Sequence, residues 1–165
     1  YQKSEDAFKR SIELNPTEST TYSYGLGYLY LQQKRFDDAE RLFKKAYELD
    51  PDLEINIYGL ADLYREKGEY ALSEKYFTLP LDRYRPSEAL QGFGWLRIEQ
   101  KRYDEAVLLF RRYLSSIREK GEVYFALGIA YQKLGNTDEA RAAFTRALEL
   151  NPDRSQFQEV LENLH

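Results

Sequence analysis

A pattern of small and aromatic residues recurs along this chain with a period of about 34 residues. Its clearest copy is GEVYFALGIAYQKLGNTDEARAAFTRALELNP, residues 121–152, which reads as two consecutive helices. The apolar stripes of the two helices consist of Tyr124, Leu127, Gly128 and Tyr131, and of Ala140, Phe144 and Ala147. Equivalent segments begin at Thr20, Glu54 and Ser87, so successive copies start 34, 33 and 34 residues apart. Because one helix pair cannot bury both stripes, the pattern predicts pairs that stack on their neighbours.

The spacing of these residues resembles that of the tetratricopeptide repeat (TPR), in which Leu-Gly, Tyr, Ala, Phe and a closing Pro follow an aromatic residue. The resemblance covers nearly the whole chain and implies an all-α fold, a right-handed α-solenoid of antiparallel helix pairs. We expect one solenoid, with the second helix of a truncated repeat, four full repeats and a capping helix at residues 1–19, 20–53, 54–86, 87–120, 121–154 and 155–165. The mid-repeat start and the absence of Met favour a fragment of a longer protein.

Residues that fill or narrow the space between paired helices follow from the same repeat. The glycines of the Leu-Gly position, Gly27, Gly94 and Gly128, are expected to permit close approach of the helices. The space opposite them is expected to be filled by Phe43, Phe77, Phe110 and Phe144. Two departures stand out, because Pro80 predicts a helix end near Leu79, and Arg97 replaces the expected Tyr. We interpret Arg97 as accommodated structurally, by pairing with an acid or by extending towards water.

In the family, helix positions that face away from the partner helix form a concave groove. At these positions the chain has an aromatic ladder of Tyr24, Tyr28, Tyr58, Trp95 and Phe125. Aromatic residues supply many of the anchors in binding sites, although some of these rings could instead cover neighbouring helices. The other candidate groove residues are Gly25, Gly59, Asp62, Arg65, Gln91, Gly92 and Ile129. The recurring glycines have two open interpretations, which are close approach of a ligand backbone and tight packing of helices.

Some family members bind acidic C-terminal peptides through Lys and Asn at the fifth and ninth positions of a repeat. Here the fifth positions are Tyr24, Tyr58, Gln91 and Phe125, and the ninth are Tyr28, Asp62, Trp95 and Ile129. The carboxylate clamp is therefore missing, and we expect a partner segment that is apolar or aromatic-seeking.

Composition argues against several other classes of function. The net charge of −4 is spread over interspersed acids and bases, so a nucleic-acid partner is not expected. Cys is absent, the one His is His165, and no Gly-rich phosphate loop is present, so we expect no enzyme, cofactor or metal site. No apolar run reaches the roughly 20 residues that cross a bilayer, so no direct membrane insertion is expected. A soluble protein of either the cytoplasm or the periplasm fits this composition.

The sequence thus favours a non-catalytic scaffold that binds a peptide or helix of a partner protein in its aromatic groove. An alternative is a structural spacer that self-associates, because the first helix lacks the helix on which it should pack. Phe8 leads the apolar face of that first helix and is the candidate self-association residue. The two hypotheses place the binding energy on different surfaces.

Overall fold

The computed structural model describes residues 2–18, 20–79, 88–116 and 119–164. All regular secondary structure in these residues is helical. The helices are α1 (Gln2–Leu14), a π-helical segment (Thr21–Gly27), α2 (Tyr28–Gln32), α3 (Phe36–Leu49), α4 (Glu54–Glu66), α5 (Tyr70–Thr78), α6 (Glu88–Glu99), α7 (Tyr103–Ser116), α8 (Gly121–Leu134), α9 (Thr137–Leu150) and α10 (Ser155–Glu162). This confirms the predicted all-α fold. Within those ranges no helix combines the length and apolar character needed to span a membrane.

The chain divides into two compact units, Tyr1–Arg85 and Pro86–His165. In unit 1, α1 packs on the π-helical segment, α3 packs on that segment and on α4, and α4 pairs with α5. In unit 2, α6 pairs with α7 and α8 pairs with α9, while α10 packs on α9. Paired packing of consecutive helices, as the repeat predicts, is therefore present in each unit.

The aromatic residues predicted to fill the space between helices are all buried, since Phe43, Phe110 and Phe144 have no exposed surface and Phe77 is 1% exposed. Each of the first three lies against a glycine of the Leu-Gly position. A Cβ atom added to Gly27, Gly94 or Gly128 would lie 2.7, 2.4 or 2.6 Å from the ring of Phe43, Phe110 or Phe144. These distances are shorter than a van der Waals contact, so the predicted close approach is confirmed and depends on the missing side chains.

The turn inside each helix pair contains one residue in the left-handed region. These residues are Lys34, Gly68, Lys101 and Gly135, with φ of 57°, 75°, 61° and 80°. They recur with the period of the repeat. Glycine adopts this conformation without strain, whereas other residues incur a cost of roughly 1 kcal/mol. The two lysines are therefore local departures from the best turn chemistry.

The structure also describes the surroundings of the two departures from the repeat. Helix α5 ends at Thr78, close to the predicted end, while Pro80 lies outside the described residues. Arg97 is 4% exposed, and its Nε atom lies 3.0 Å from Oε2 of Glu105. Its guanidinium group lies 4.3 Å from the ring centroid of Phe93 and donates a hydrogen bond of 2.6 Å to Gln100. Arg97 is thus held by contacts within unit 2, as the structural interpretation expects.

Candidate functional site

An open apolar cleft lies in unit 1, between α1, the π-helical segment, α2 and the start of α4. We call it the unit 1 cleft, and its main lining residues are Phe8, Tyr24, Gly25, Tyr28 and Ile55. Tyr24 is 69% exposed, an unusual exposure for a large aromatic side chain that adjoins other apolar groups. The cleft therefore offers an accessible ring beside apolar lining.

The cleft is open because Phe8 is covered on fewer sides than the equivalent residues of later repeats. Phe43 lies between two glycines, since a Cβ atom at Gly27 or at Gly59 would lie 2.7 or 2.3 Å from its ring. Phe8 packs against Gly25, where a Cβ atom would lie 2.6 Å from its ring, but it remains only partly buried. Tight packing therefore accounts for Gly25 and Gly59, both of which are buried.

Tyr28 is the most firmly held aromatic residue of the cleft. Its ring lies 5.2 Å from Phe43 and 6.2 Å from Tyr24, centroid to centroid, with edge-to-face geometry in both pairs. Its hydroxyl group donates a hydrogen bond of 3.1 Å to Oδ2 of Asp62 on α4. Edge-to-face packing and a hydroxyl partner fix the orientation of Tyr28, and Tyr24 projects beyond it into solvent.

The predicted charged groove residues Asp62 and Arg65 lie together on α4. Nη2 of Arg65 lies 3.6 Å from Oδ1 of Asp62 and 3.2 Å from Oε1 of Glu66, so one cation is shared by two carboxylates. Burial raises the pKa of Asp62, while the positive charge of Arg65 and the hydrogen bond from Tyr28 act in the opposite direction. The Asp62 side chain is nevertheless 25% exposed to solvent.

The other ladder residue of unit 1 is placed differently from Tyr24. Tyr58 is 5% exposed, and its hydroxyl group donates a hydrogen bond of 3.0 Å to Oε2 of Glu54. Its ring is therefore not an accessible anchor in this conformation. This placement fits the interpretation, left open by the sequence, that some rings of the ladder cover neighbouring helices.

In unit 2 the predicted groove residues are mostly engaged by their own unit. Phe125 is 7% exposed and stacks on Phe157 of α10 with centroids 4.4 Å apart, so its ring also covers a neighbouring helix. Trp95 is half-buried and lies 6.2 Å from Phe110, and Gln91 accepts a hydrogen bond of 3.1 Å from Lys120. Gly92 and Ile129 are both half-buried, and Ile129 packs against the cluster around Phe125 and Phe144.

The sequence placed Phe8 on a self-association surface and did not connect it with the groove. The structure brings Phe8 beside Tyr24 and Gly25 in one cleft. A signal for this contact was present, because Gly25 and Gly59 both occupy the sixth position of the repeat that follows Phe8 or Phe43. Recognising that a phenylalanine can pack on the glycine at the sixth position of the next repeat, as Phe43 packs on Gly59, would have identified it.

A second polar cluster in unit 1 has a structural role. The carboxylate of Glu40 accepts hydrogen bonds from Lys44, Lys67 and Tyr64 at 2.7, 2.9 and 3.1 Å. These bonds, led by those from Lys44 and Lys67, lower the pKa of Glu40 to about 2. No group of three or more His, Cys, Asp or Glu side chains that could hold a metal ion occurs in the described parts of the chain. The network therefore reads as a link between α3 and α4.

The chain is similar in sequence to proteins from several kingdoms. Family models described as tetratricopeptide repeat match residues 21–53, 58–121 and 121–154. A CTR9 homolog of Arabidopsis thaliana is 30% identical over 124 residues, which are 74% of this chain and 11% of that protein. The type IV pilus assembly protein PilF of Pseudomonas aeruginosa is 29% identical over 132 residues, 76% of this chain and 51% of PilF. The chain thus spans about half or less of these relatives.

Solved structures show the same arrangement of helices. The structure of Pseudomonas aeruginosa PilF matches with a TM-score of 0.80 at 24% identity and covers 88% of this chain and 67% of its own. YrrB, described as a TPR protein with an unusual peptide-binding site, matches with a TM-score of 0.69 at 20% identity over 94% of this chain and 80% of its own. With the family models covering most of its length, the chain belongs to the tetratricopeptide repeat family.

Proposed function

We propose that this chain is a non-catalytic module that captures a segment of a partner protein in the unit 1 cleft. Tetratricopeptide repeat proteins mediate protein–protein interactions and are typically non-catalytic. The observation that carries the proposal is the 69% exposure of Tyr24 beside Phe8, Tyr28 and Ile55. Exposed aromatic residues next to an apolar depression are frequent anchors for a partner side chain.

Peptide selection tests this proposal and does not require an identified partner. A displayed library of random peptides of about 12 residues, long enough to cross the cleft, is selected on the wild-type chain. The affinity of the selected peptides is then measured by calorimetry for the wild type and for Tyr24→Ala. We expect Tyr24→Ala to weaken binding about tenfold or more, because the exposed ring is the anchor.

The matched control is Leu14→Ala, which removes another exposed apolar side chain of unit 1. Leu14 is 79% exposed and does not line the cleft. Both variants should unfold within about 0.5 kcal/mol of the wild type, because neither residue is buried. Peptides that bind Tyr24→Ala as tightly as the wild type would show that the cleft is not the binding site.

Self-association remains the alternative proposal, and the partial exposure of Phe8 is the observation that favours it. Sedimentation velocity over a range of protein concentrations distinguishes the two functions. If the chain is a self-associating spacer, the Phe8→Ala variant should sediment as a monomer. The Tyr24→Ala variant should sediment like the wild type. A monomeric profile of the wild type at all concentrations contradicts the spacer hypothesis.

A further inference from the structure

Two tyrosine rings line the unit 1 cleft, and the carboxylate of Asp62 contacts the hydroxyl group of the second ring. The ring centroids of Tyr24 and Tyr28 are 6.2 Å apart with an interplanar angle of 67°, so the rings present different faces. The hydroxyl group of Tyr28 is 3.1 Å from Oδ2 of Asp62. Aromatic faces attract cations through their quadrupole, and a carboxylate attracts them by its charge. These three side chains therefore share one chemical preference.

Helix α4, which carries Asp62, has a net negative charge. Helix α4 carries three acidic residues, Glu54, Asp62 and Glu66, and one basic residue, Arg65. Arg65 lies beside Asp62, and none of the described residues that line the cleft is Lys or Arg. The local potential therefore favours a cationic group over an anionic one.

Asp62 has capacity for a further donor. A carboxylate accepts about four hydrogen bonds, and the hydroxyl group of Tyr28 supplies one of them. Nη2 of Arg65 lies 3.6 Å from Oδ1 of Asp62, and this cation is shared with Glu66. Partial burial raises the pKa of Asp62, and an incoming cation would offset that loss of hydration.

We propose that the unit 1 cleft selects an apolar segment that carries one Lys or Arg, with the cationic head against Tyr24 and Tyr28 and paired with Asp62. The aliphatic stem of such a side chain packs on apolar surface such as Ile55 while its head reaches the carboxylate. This preference is opposite to that of a clamp for acidic peptides. It rests on the proposed function, because it specifies what the same cleft binds.

The peptides selected on the wild-type chain provide the probe. We expect a Lys or Arg at one fixed position among apolar or aromatic residues. Replacing that residue by the uncharged norleucine in a synthetic peptide should weaken binding about tenfold. Asp62→Asn should weaken binding of the basic peptide by a similar factor. It should not change the affinity of the norleucine peptide, because that peptide has no cation to pair with Asp62.

Asp37→Asn is the matched control, because it makes the same change of charge at an exposed position of unit 1. It should bind the basic peptide like the wild type, which separates pairing at Asp62 from a change in net charge. The norleucine peptide needs no altered protein, so the test holds even if Asp62→Asn is less stable.

The outcomes separate the two proposals. The cationic preference is overturned if the selected peptides need Tyr24 for binding but contain no basic residue. It is also overturned if their affinity is the same for Asp62→Asn as for the wild type. In both cases the cleft is still the binding site. Selection of acidic peptides that depend on Tyr24 has the same meaning. Peptides whose affinity is insensitive to Tyr24→Ala contradict both proposals at once.

Discussion

Equivalent aromatic residues have opposite environments in the first and last full repeats. Tyr24 occupies the fifth position of the repeat that begins at Thr20 and is 69% exposed, whereas Phe125 occupies that position in the repeat that begins at Gly121 and is 7% exposed. Helix α10 covers Phe125, because its Phe157 stacks on that ring at 4.4 Å. A groove position thus becomes a core position when a capping helix covers it.

The largest expected effect comes from removing that cover. Phe157 is 2% exposed, so Phe157→Ala should lower the free energy of unfolding of unit 2 by about 3–5 kcal/mol and expose Phe125. Chemical denaturation measures the loss, and binding of a hydrophobic dye reports the exposed ring. Phe157→Leu, which keeps an apolar side chain, should lose much less. A loss as small in Phe157→Ala as in Phe157→Leu would mean that α10 does not seal Phe125.

A second prediction compares the glycine that contacts the fully buried Phe43 with the glycine that contacts the partly exposed Phe8. Gly59→Ala places a Cβ atom 2.3 Å from the ring of Phe43, which is fully buried and cannot move away, so we expect a cost of about 1–3 kcal/mol. Gly25→Ala should cost less, because the ring of Phe8 is partly exposed and can shift towards solvent. Thermal unfolding of both variants checks the order. Equal costs would indicate that Phe8 is held as firmly as Phe43.

Acid should weaken unit 1 through Glu40. Its pKa lies below the value of 4.5 expected for the unfolded chain, so its contribution is complete above pH 4.5 and is lost as pH falls towards about 2. We expect a contribution of about 2 kcal/mol, given that the side chain is 20% exposed. In Glu40→Gln, stability measured by urea denaturation should be lower at neutral pH and should change less across this range. An unchanged acid profile would place the acid sensitivity elsewhere.

Unit 2 offers a comparison for this effect. The pKa of Glu119 is also lowered, chiefly by the hydrogen bond from Arg146 and then by that from Tyr124. Glu119 is 46% exposed, and solvent screens such a pair strongly. Glu119→Gln should therefore alter the acid profile less than Glu40→Gln.

The smallest expected effects come from the turns of the two units. Lys34→Gly and Lys101→Gly replace residues at φ of 57° and 61° by the residue that adopts these angles without strain. Each change should stabilise its unit by about 0.5–1 kcal/mol, after allowance for the greater freedom of glycine in the unfolded chain. Differential scanning calorimetry detects shifts of this size. A lower melting temperature in either variant would contradict the assignment of strain to these turns.

Much of the fold was predictable because the same pattern of residues occurs in several repeats. The positions of Phe43, Phe110 and Phe144, and of the glycines against them, follow from spacing alone, since the same contact recurs in each helix pair. Asn56 was not predictable in this way. It is fully buried, and its side-chain amide donates hydrogen bonds of 3.0 and 2.9 Å to the carbonyl groups of Ala46 and Asp50 at the end of α3. Sequence spacing does not reveal which carbonyl groups lie within reach of an amide.

The candidate site was predictable only in part. Tyr24 lies on an accessible cleft, whereas Tyr58 and Phe125 are buried at the position that the repeat treats as equivalent. A repeat pattern describes what each residue contacts within an average unit. It does not specify the neighbours that a particular unit has or lacks.

The sequence by itself determined the family, the helix pairs and the phenylalanine–glycine contacts, because local periodicity and residue size are sufficient to define them. The tertiary structure alone decided which groove residues reach solvent. It covered Phe125 with Phe157, left Tyr24 exposed beside Phe8, and brought Asp62 to the hydroxyl group of Tyr28. Exposure depends on everything that packs around a residue, including segments distant in sequence, and periodicity carries no information about them.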